Sequence, residues 1–190
     1  MRRDGGAMVR SPLERRRRAP RAAGRRPATC SVETAAVPVT IRRPDLARLD
    51  IEADAAMAVQ RAALRATLPG LLEPHTAAED AAWIRGVFTR LSVWLAVDGD
   101  DVVGIASRDG EWVRQLYVAP GTTGAGIGQR LLDAMLAEAP ALKLWTFQRN
   151  AGARRFYERN GFVAVEFTDG SGCDEREPDV CYERAKHVST

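Results

Sequence analysis

The stretch Ala119–Leu136, APGTTGAGIGQRLLDAML, places four glycines in the eight positions 121–128 and runs straight into apolar residues at helical spacing, Ile127, Leu131, Leu132, Met135 and Leu136. A turn of this kind between a strand and a helix presents several backbone amides, and the positive end of the helix dipole, to an anion such as phosphate. Glycine suits it because a Cβ blocks close approach and because some turn positions take positive φ. A flexible loop with a glycine helix cap is the plainer account of the same residues. Spacing narrows the choice of phosphate binder. A Walker loop needs Gly-Lys-Ser/Thr, but Gly128 is followed by Gln129 and Arg130. A Rossmann fingerprint needs its third glycine at position 129, where Gln stands.

Upstream, the runs SVWLAVD, DVVGIASRD and EWVRQLYVAP are separated by Gly-Asp and Asp-Gly turn signals and predict an antiparallel meander leading into the glycines. This again departs from a Rossmann domain, whose glycines follow the first strand of a parallel sheet. Before the meander, VPVTIRR predicts a first strand halted by Pro44. The Ala-rich segment 45–68 predicts a first helix, in one or two pieces, along Leu46, Leu49, Ala53, Met57 and Leu64. HTAAEDAAWIRGVFTRL predicts a second helix, with Thr76 and Glu79 as a capping box and Trp83, Val87 and Leu91 on its buried face, widened by Ile84 and Phe88. Downstream of the glycines, a helix from about Gly126 to Glu138 stops at Pro140. Strand LKLWTF, short helix NAGARRFYERN and strands FVAVEF and DVCYERA follow. The order is β-α-α-β-β-β-α-β-α-β-β.

Composition bounds what surrounds this domain. The chain has 190 residues, enough for one core, and its net charge of +3 is unevenly placed. Residues 1–36 carry ten Arg against Asp4, Glu14 and Glu33, leaving residues 37–190 net acidic. With few large apolar residues, that segment is expected to be a disordered Arg-rich extension, and residues 37–190 the folded domain. A basic arm suits nucleic acid, an anionic membrane or an organelle-targeting role. A solvated extension, or an over-long reading frame whose true start lies near Val37, explains it as well, and no aromatics interleave the arginines to stack on bases. Nucleic-acid binding is therefore not expected except through this tail, because the folded part is acidic and offers no recognition helix. No run of 18 apolar residues is present, so no membrane span is expected. Cys30, Cys173 and Cys181 are odd in number and lack Cys-x-x-Cys spacing, which argues against a disulfide framework or a metal site and fits a cytoplasmic location.

Two blocks carry a family likeness. LYVAP with TGAGIG supplies Leu116, Val118 and Pro120, then Gly124, Gly126 and Gly128; NAGARRFYERNGF supplies Asn150, Ala153, Phe156, Tyr157, Gly161 and Phe162. In this order and spacing they resemble the signatures of the GNAT N-acetyltransferases, over residues 37–185 and most strongly over Leu116–Phe162. Thr123 stands where that family usually has Arg or Gln. The resemblance implies an α/β (α+β) fold built on a mixed, mostly antiparallel six- to seven-stranded sheet with a central splay and about four helices. It implies acetyl-CoA as co-substrate with no metal, an amine acceptor, and direct attack in a ternary complex. A small-molecule acceptor is favoured over a protein N-terminus, and a homodimer is compatible with the family. A non-catalytic acyl-CoA sensor is the alternative, against which the intact Phe-Tyr pair argues.

By the same resemblance, the pantetheine pairs with main chain at Leu116, Tyr117 and Val118, and the pyrophosphate meets Thr123, Gly124, Ala125, Gly126, Ile127, Gly128 and Gln129. Asn150 bonds the pantetheine or caps its helix, and Tyr157 protonates the departing thiolate. The base is less determined. Glu111 is the acidic residue of EWVRQLYV and the candidate, although a solvated charge is the more expected role for a residue at a strand's start. By period-two alternation Gln115 and Tyr117 share its face and offer to hold a water instead. In this family the loop between the first two helices and the last strands select the acceptor. Here the latter carry Asp169, Asp174, Glu175, Glu177, Asp179 and Glu183, attractive to a cation or simply a solvated acidic hairpin. His75, at a helix entry, reads as structural.

Overall fold

A computed structural model describes residues 39–185; the expected Arg-rich extension, with Cys30, lies outside the described residues. The first strand, β1 (Thr40–Arg42), leads through a short 3-10 turn at Leu46–Arg48 into α1 (Leu49–Thr67), followed by α2 (Ala77–Arg90). The meander is β2 (Ser92–Asp98), β3 (Asp101–Asp109) and β4 (Trp112–Val118). Then come α3 (Ile127–Glu138), β5 (Leu142–Phe147), α4 (Ala151–Arg159), β6 (Val163–Phe167) and β7 (Asp179–Arg184). The seven strands form one sheet in the order β1-β2-β3-β4-β5-β7-β6, antiparallel throughout except between β4 and β5. Sheet type, strand count and helix count agree with the expectation.

Two clusters of buried side chains sandwich the meander. On one face Ala53, Ala56 and Met57 of α1 and Ile84, Val87 and Phe88 of α2 pack on Val93, Leu95, Val97 and Ile105. On the other, Ile127, Leu131, Leu132 and Met135 of α3 and Tyr157 of α4 pack on Trp94, Ala96, Ala106, Leu144 and Tyr182. Gly104 of β3 makes the second packing feasible, since a Cβ there would sit 3.1 Å from Leu131 and 3.2 Å from Ala96. The α2 face differs from the expected one: Trp83 is 45 % exposed, and Ile84, Val87 and Phe88 form the buried stripe. The capping box at Thr76 and Glu79 sets that stripe's start, each side chain satisfying the other residue's amide.

Two departures from ideal pairing shape the middle of the sheet. Opposite β3, Ser107 pairs with Gln115 but Arg108 pairs with Val113, so Arg114 is an extra residue, a β-bulge. A bulge reverses the alternation on its two sides. Val113 thus faces α3 together with Leu116 and Val118, while Tyr117 packs toward α1 and Gln115 reaches it, donating to Gln60 at 2.6 Å and accepting from Ser107 at 2.8 Å. The second departure is between β4 and β5. They pair at Trp112 and Lys143, closed by the Lys143 amide on the Glu111 carbonyl at 2.8 Å, and then diverge.

Candidate active site

That divergence opens a cavity of about 1100 Å3 between β4 and β5. It is large enough for a sizeable ligand, since small-molecule sites run to about 300–1000 Å3. Leu116, Tyr117 and Val118 line one side and Leu144–Phe147 the other. Beyond the Trp112–Lys143 pair, the facing backbone groups of the two strands have no partner across the gap. A ligand with amides of its own satisfies them as an added strand does.

At one mouth lies the glycine turn. Gly124 and Gly126 hold φ of +86° and +77°, and Gly126 is the N-cap of α3 with no side chain capping it. The first amide taken up by the helix is that of Arg130, on the Gly126 carbonyl at 3.1 Å. The amides of Gly126, Ile127, Gly128 and Gln129 therefore have no acceptor among the described residues and, with the helix dipole, make an anion site. Gly124, Gly126, Ile127, Gly128, Gln129 and Thr123 line the cavity; Ala125 does not, its amide turned back 3.5 Å from the Thr122 carbonyl. Gln129 is held by its side-chain amide, which donates to Asp133 at 2.9 Å and Asn160 at 2.7 Å. Arg159, from the end of α4, stacks its guanidinium 4.9 Å from the Phe156 ring centroid and also lines this cavity.

Helix α4 crosses beside the splay. Asn150 lines the cavity and caps α4, its side-chain oxygen accepting the Ala153 amide at 3.0 Å. Tyr157, about two turns further on, is buried against the edges of Phe156 and Phe162, with ring centroids 5.3 and 5.4 Å away. Its hydroxyl has no hydrogen-bond partner among the described residues, and the residue lines the cavity. Burial, reinforced by the neighbouring Tyr117, pushes its phenol well above the usual value, so it holds its proton. Tyr117 is likewise pushed up to about 12, by burial first and then by the carboxylate of Glu175.

Glu111 is not brought to the site. It is exposed in the turn before β4, outside the cavity lining, at the closed end of the splay where Lys143 pairs with Glu183 at 2.9 Å. The bulge at Arg114 is the physical reason: alternation counted back from Tyr117 is broken before it reaches Glu111. Gln115 lines the cavity, but its side chain is committed to Ser107 and Gln60.

Residues 89–164 match the model of the acetyltransferase (GNAT) domain. Over these residues the chain is similar to the GNAT acetyltransferases. Among curated relatives, the peptidyl-lysine N-acetyltransferase YjaB of Salmonella typhimurium is 37 % identical over 71 residues, which are 37 % of this chain and 49 % of that protein. The match therefore spans about half the relative's length. Among solved structures, apo YjaB of Escherichia coli superposes with a TM-score of 0.64 at 23 % identity, covering 78 % of this chain and 99 % of that one. YncA of Salmonella typhimurium, solved with acetyl-CoA, gives 0.61 at 20 % identity over 78 % and 94 %. These likenesses establish the GNAT fold.

Sequence reasoning missed the far wall of this cavity. Glu166, Thr168, Cys173, Glu175 and Asp179, from β6, β7 and the loop between them, all line it. The acidic composition of that loop was visible, but not which carboxylate turns inward. Among the described residues no group of three or more His, Cys, Asp or Glu converges to hold a metal ion, and no helix is long and apolar enough to cross a membrane.

Proposed function

We propose that this protein is an acetyl-CoA-dependent N-acetyltransferase that joins both substrates in one ternary complex. The observation that carries the reading is the cavity's arrangement: unclaimed amides at the α3 N-terminus, unpaired strand edges in the splay, and a protonated Tyr157 hydroxyl with no partner of its own. The GNAT domain match and the N-acetyltransferase activity for which YjaB is named support it.

In this reading the pyrophosphate rests on the amides of Gly124 and Gly126–Gln129, with the Arg159 guanidinium nearby. This cation offsets the absence of one at Thr123. The pantetheine adds to β4 at Leu116–Val118 and meets Asn150. An acceptor enters as an ammonium, loses one proton to become nucleophilic, and attacks the thioester carbon. The C–N bond forms, the C–S bond breaks, and Tyr157 protonates the leaving thiolate. The nitrogen's second proton restores Tyr157, so one proton per turnover reaches solvent. A raised phenol is a weak acid for a thiolate in water. The burial that raises it raises the thiolate's proton affinity too, which keeps the transfer matched.

The direct test is thiol release from acetyl-CoA with and without a panel of primary amines, alongside calorimetry of CoA binding. Amine-dependent release is expected. Tight CoA binding without release on any amine would instead identify an acyl-CoA sensor.

A further inference from the structure

Glu175 occupies a place that no other carboxylate of its loop shares. It is half-buried and lines both the main cavity and a second chamber of about 220 Å3 beneath the loop joining α1 to α2. Its neighbours are engaged: Asp174 lies 3.7 Å from His75, Glu177 pairs with Arg149 at 2.8 Å, Asp169 accepts the Ser171 amide at 2.9 Å, and Asp179 accepts the Thr168 hydroxyl. The Glu175 carboxylate has no partner among the described residues, and its charge adds to the burial that raises the Tyr117 phenol.

The loop is built to keep it there. A Cβ on Gly170 would sit 2.4 Å from the Glu177 carbonyl carbon, and the Cys173 thiol takes the Glu177 amide at 3.4 Å. Arg176, directly after Glu175, holds φ of +51°, a left-handed backbone that non-glycine residues seldom adopt unless their surroundings impose it. The small chamber is floored by Met57, Leu64, Leu68, Leu71 and Leu72, and its other charges are paired, Arg61 with Asp80 and Arg65 with Glu73. An apolar floor flanked by paired charges, with the unpaired Glu175 carboxylate at the opening toward the main cavity, is complementary to a cation with a hydrocarbon body. The volume equals about seven waters at ~30 Å3 each, room for an amine of phenethylamine size.

We infer that Glu175 is the acceptor-binding residue, holding the ammonium of a small monoamine at the mouth of the splay while its apolar body fills the chamber under the α1–α2 loop. This rests on the acetyltransferase reading and adds the acceptor's chemical class and the residue that selects it. The ammonium then sheds its first proton to water from that position and attacks as set out above, so no further group is needed to balance the step.

The experiment is thiol release from acetyl-CoA with phenethylamine, with phenylalanine, which adds a carboxylate beside the same amine, and with spermidine. Each is run on the wild type, Glu175→Gln and Asp174→Asn. Phenethylamine is expected to exceed phenylalanine and spermidine at least tenfold in kcat/KM. Glu175→Gln should raise the KM for phenethylamine at least tenfold, with kcat within about threefold and acetyl-CoA KM unchanged. Asp174→Asn, which removes the same charge one residue away and outside both cavities, should leave the amine KM as it is. An unchanged amine KM in Glu175→Gln, an equal effect of Asp174→Asn, or phenylalanine or spermidine used as well as phenethylamine would overturn the inference while leaving the transferase intact. Wild-type protein that releases no thiol with any amine would overturn both.

Discussion

Tyr157 is a buried phenol whose ring is packed on three sides by Phe156, Phe162 and Tyr182 but whose hydroxyl finds no partner among the described residues. Tyr157→Phe keeps that packing and removes the proton. It is expected to lower kcat by about 10² to 10⁴-fold, the range of general acid catalysis, with acetyl-CoA affinity unchanged by calorimetry. Wild-type turnover in the variant, where chemistry limits kcat, would mean that water or another group protonates the thiolate. The same burial has a consequence for pH. The protein's three tyrosines, Tyr117, Tyr157 and Tyr182, are all raised above about 10, the first two by burial foremost, and Tyr182 by burial and its bond to Glu158. Folded values above the unfolded one mean that the stabilisation is complete below about pH 10 and is lost as pH climbs through the folded values. Tyrosinate absorbance is therefore expected to stay flat through about pH 10 in the native protein and to rise near 10 in denaturant. A native titration near 10 would show the phenols to be open to water.

At the scale of single elements, the sequence was readable wherever one local signal set the outcome and unreadable where pairing set it. The helix starts at Thr76 and Asn150 were legible because a capping side chain reaches only three residues along the chain, and that at Gly126 because the glycine run precedes it directly. The bulge at Arg114 was not, because it is settled by the register of β4 against β3. It moved Glu111 away from the site even though Glu111, Gln115 and Tyr117 alternate in the chain. Likewise nothing local marks Glu175 as the inward carboxylate of its loop. The glycine turn shows what an element commits to. Gly126 has open space around its absent Cβ but a φ of +77°, where a side chain costs roughly 1–2 kcal/mol and a β-branched one is a clear outlier. Gly126→Val is expected to lower the melting temperature modestly and to weaken CoA binding at least tenfold, about 1.4 kcal/mol. Gly121→Ala is the control: it also has open space, takes no positive φ and lies outside the cavity, and so should bind as wild type. Equal affinity in a folded Gly126→Val protein would remove the turn from the CoA site.

At the scale of the whole molecule, fold and cofactor chemistry were legible together, because the glycine turn and the Asn150–Phe162 block fix both ends of the splay. Acceptor chemistry was not, because it arises where α1, the α1–α2 loop and the β6–β7 loop meet in space across more than a hundred residues. The described residues, 39–185, hold seven strands, four helices, two buried clusters and residues that line both cavities. Residues 1–36 carry a net charge of +7 and so leave residues 37–190 at −4. Deleting residues 1–36 should therefore leave the melting temperature, acetyl-CoA affinity and turnover unchanged, while abolishing retention on a cation-exchange matrix at low salt, where arginine-rich segments bind anionic surfaces most strongly. Calorimetry, thiol release and chromatography of the two proteins side by side measure all of this. A truncated protein that melts like the full chain but no longer turns over would mean that the arginine-rich segment contributes to the site, and one that melts lower would make it part of the fold.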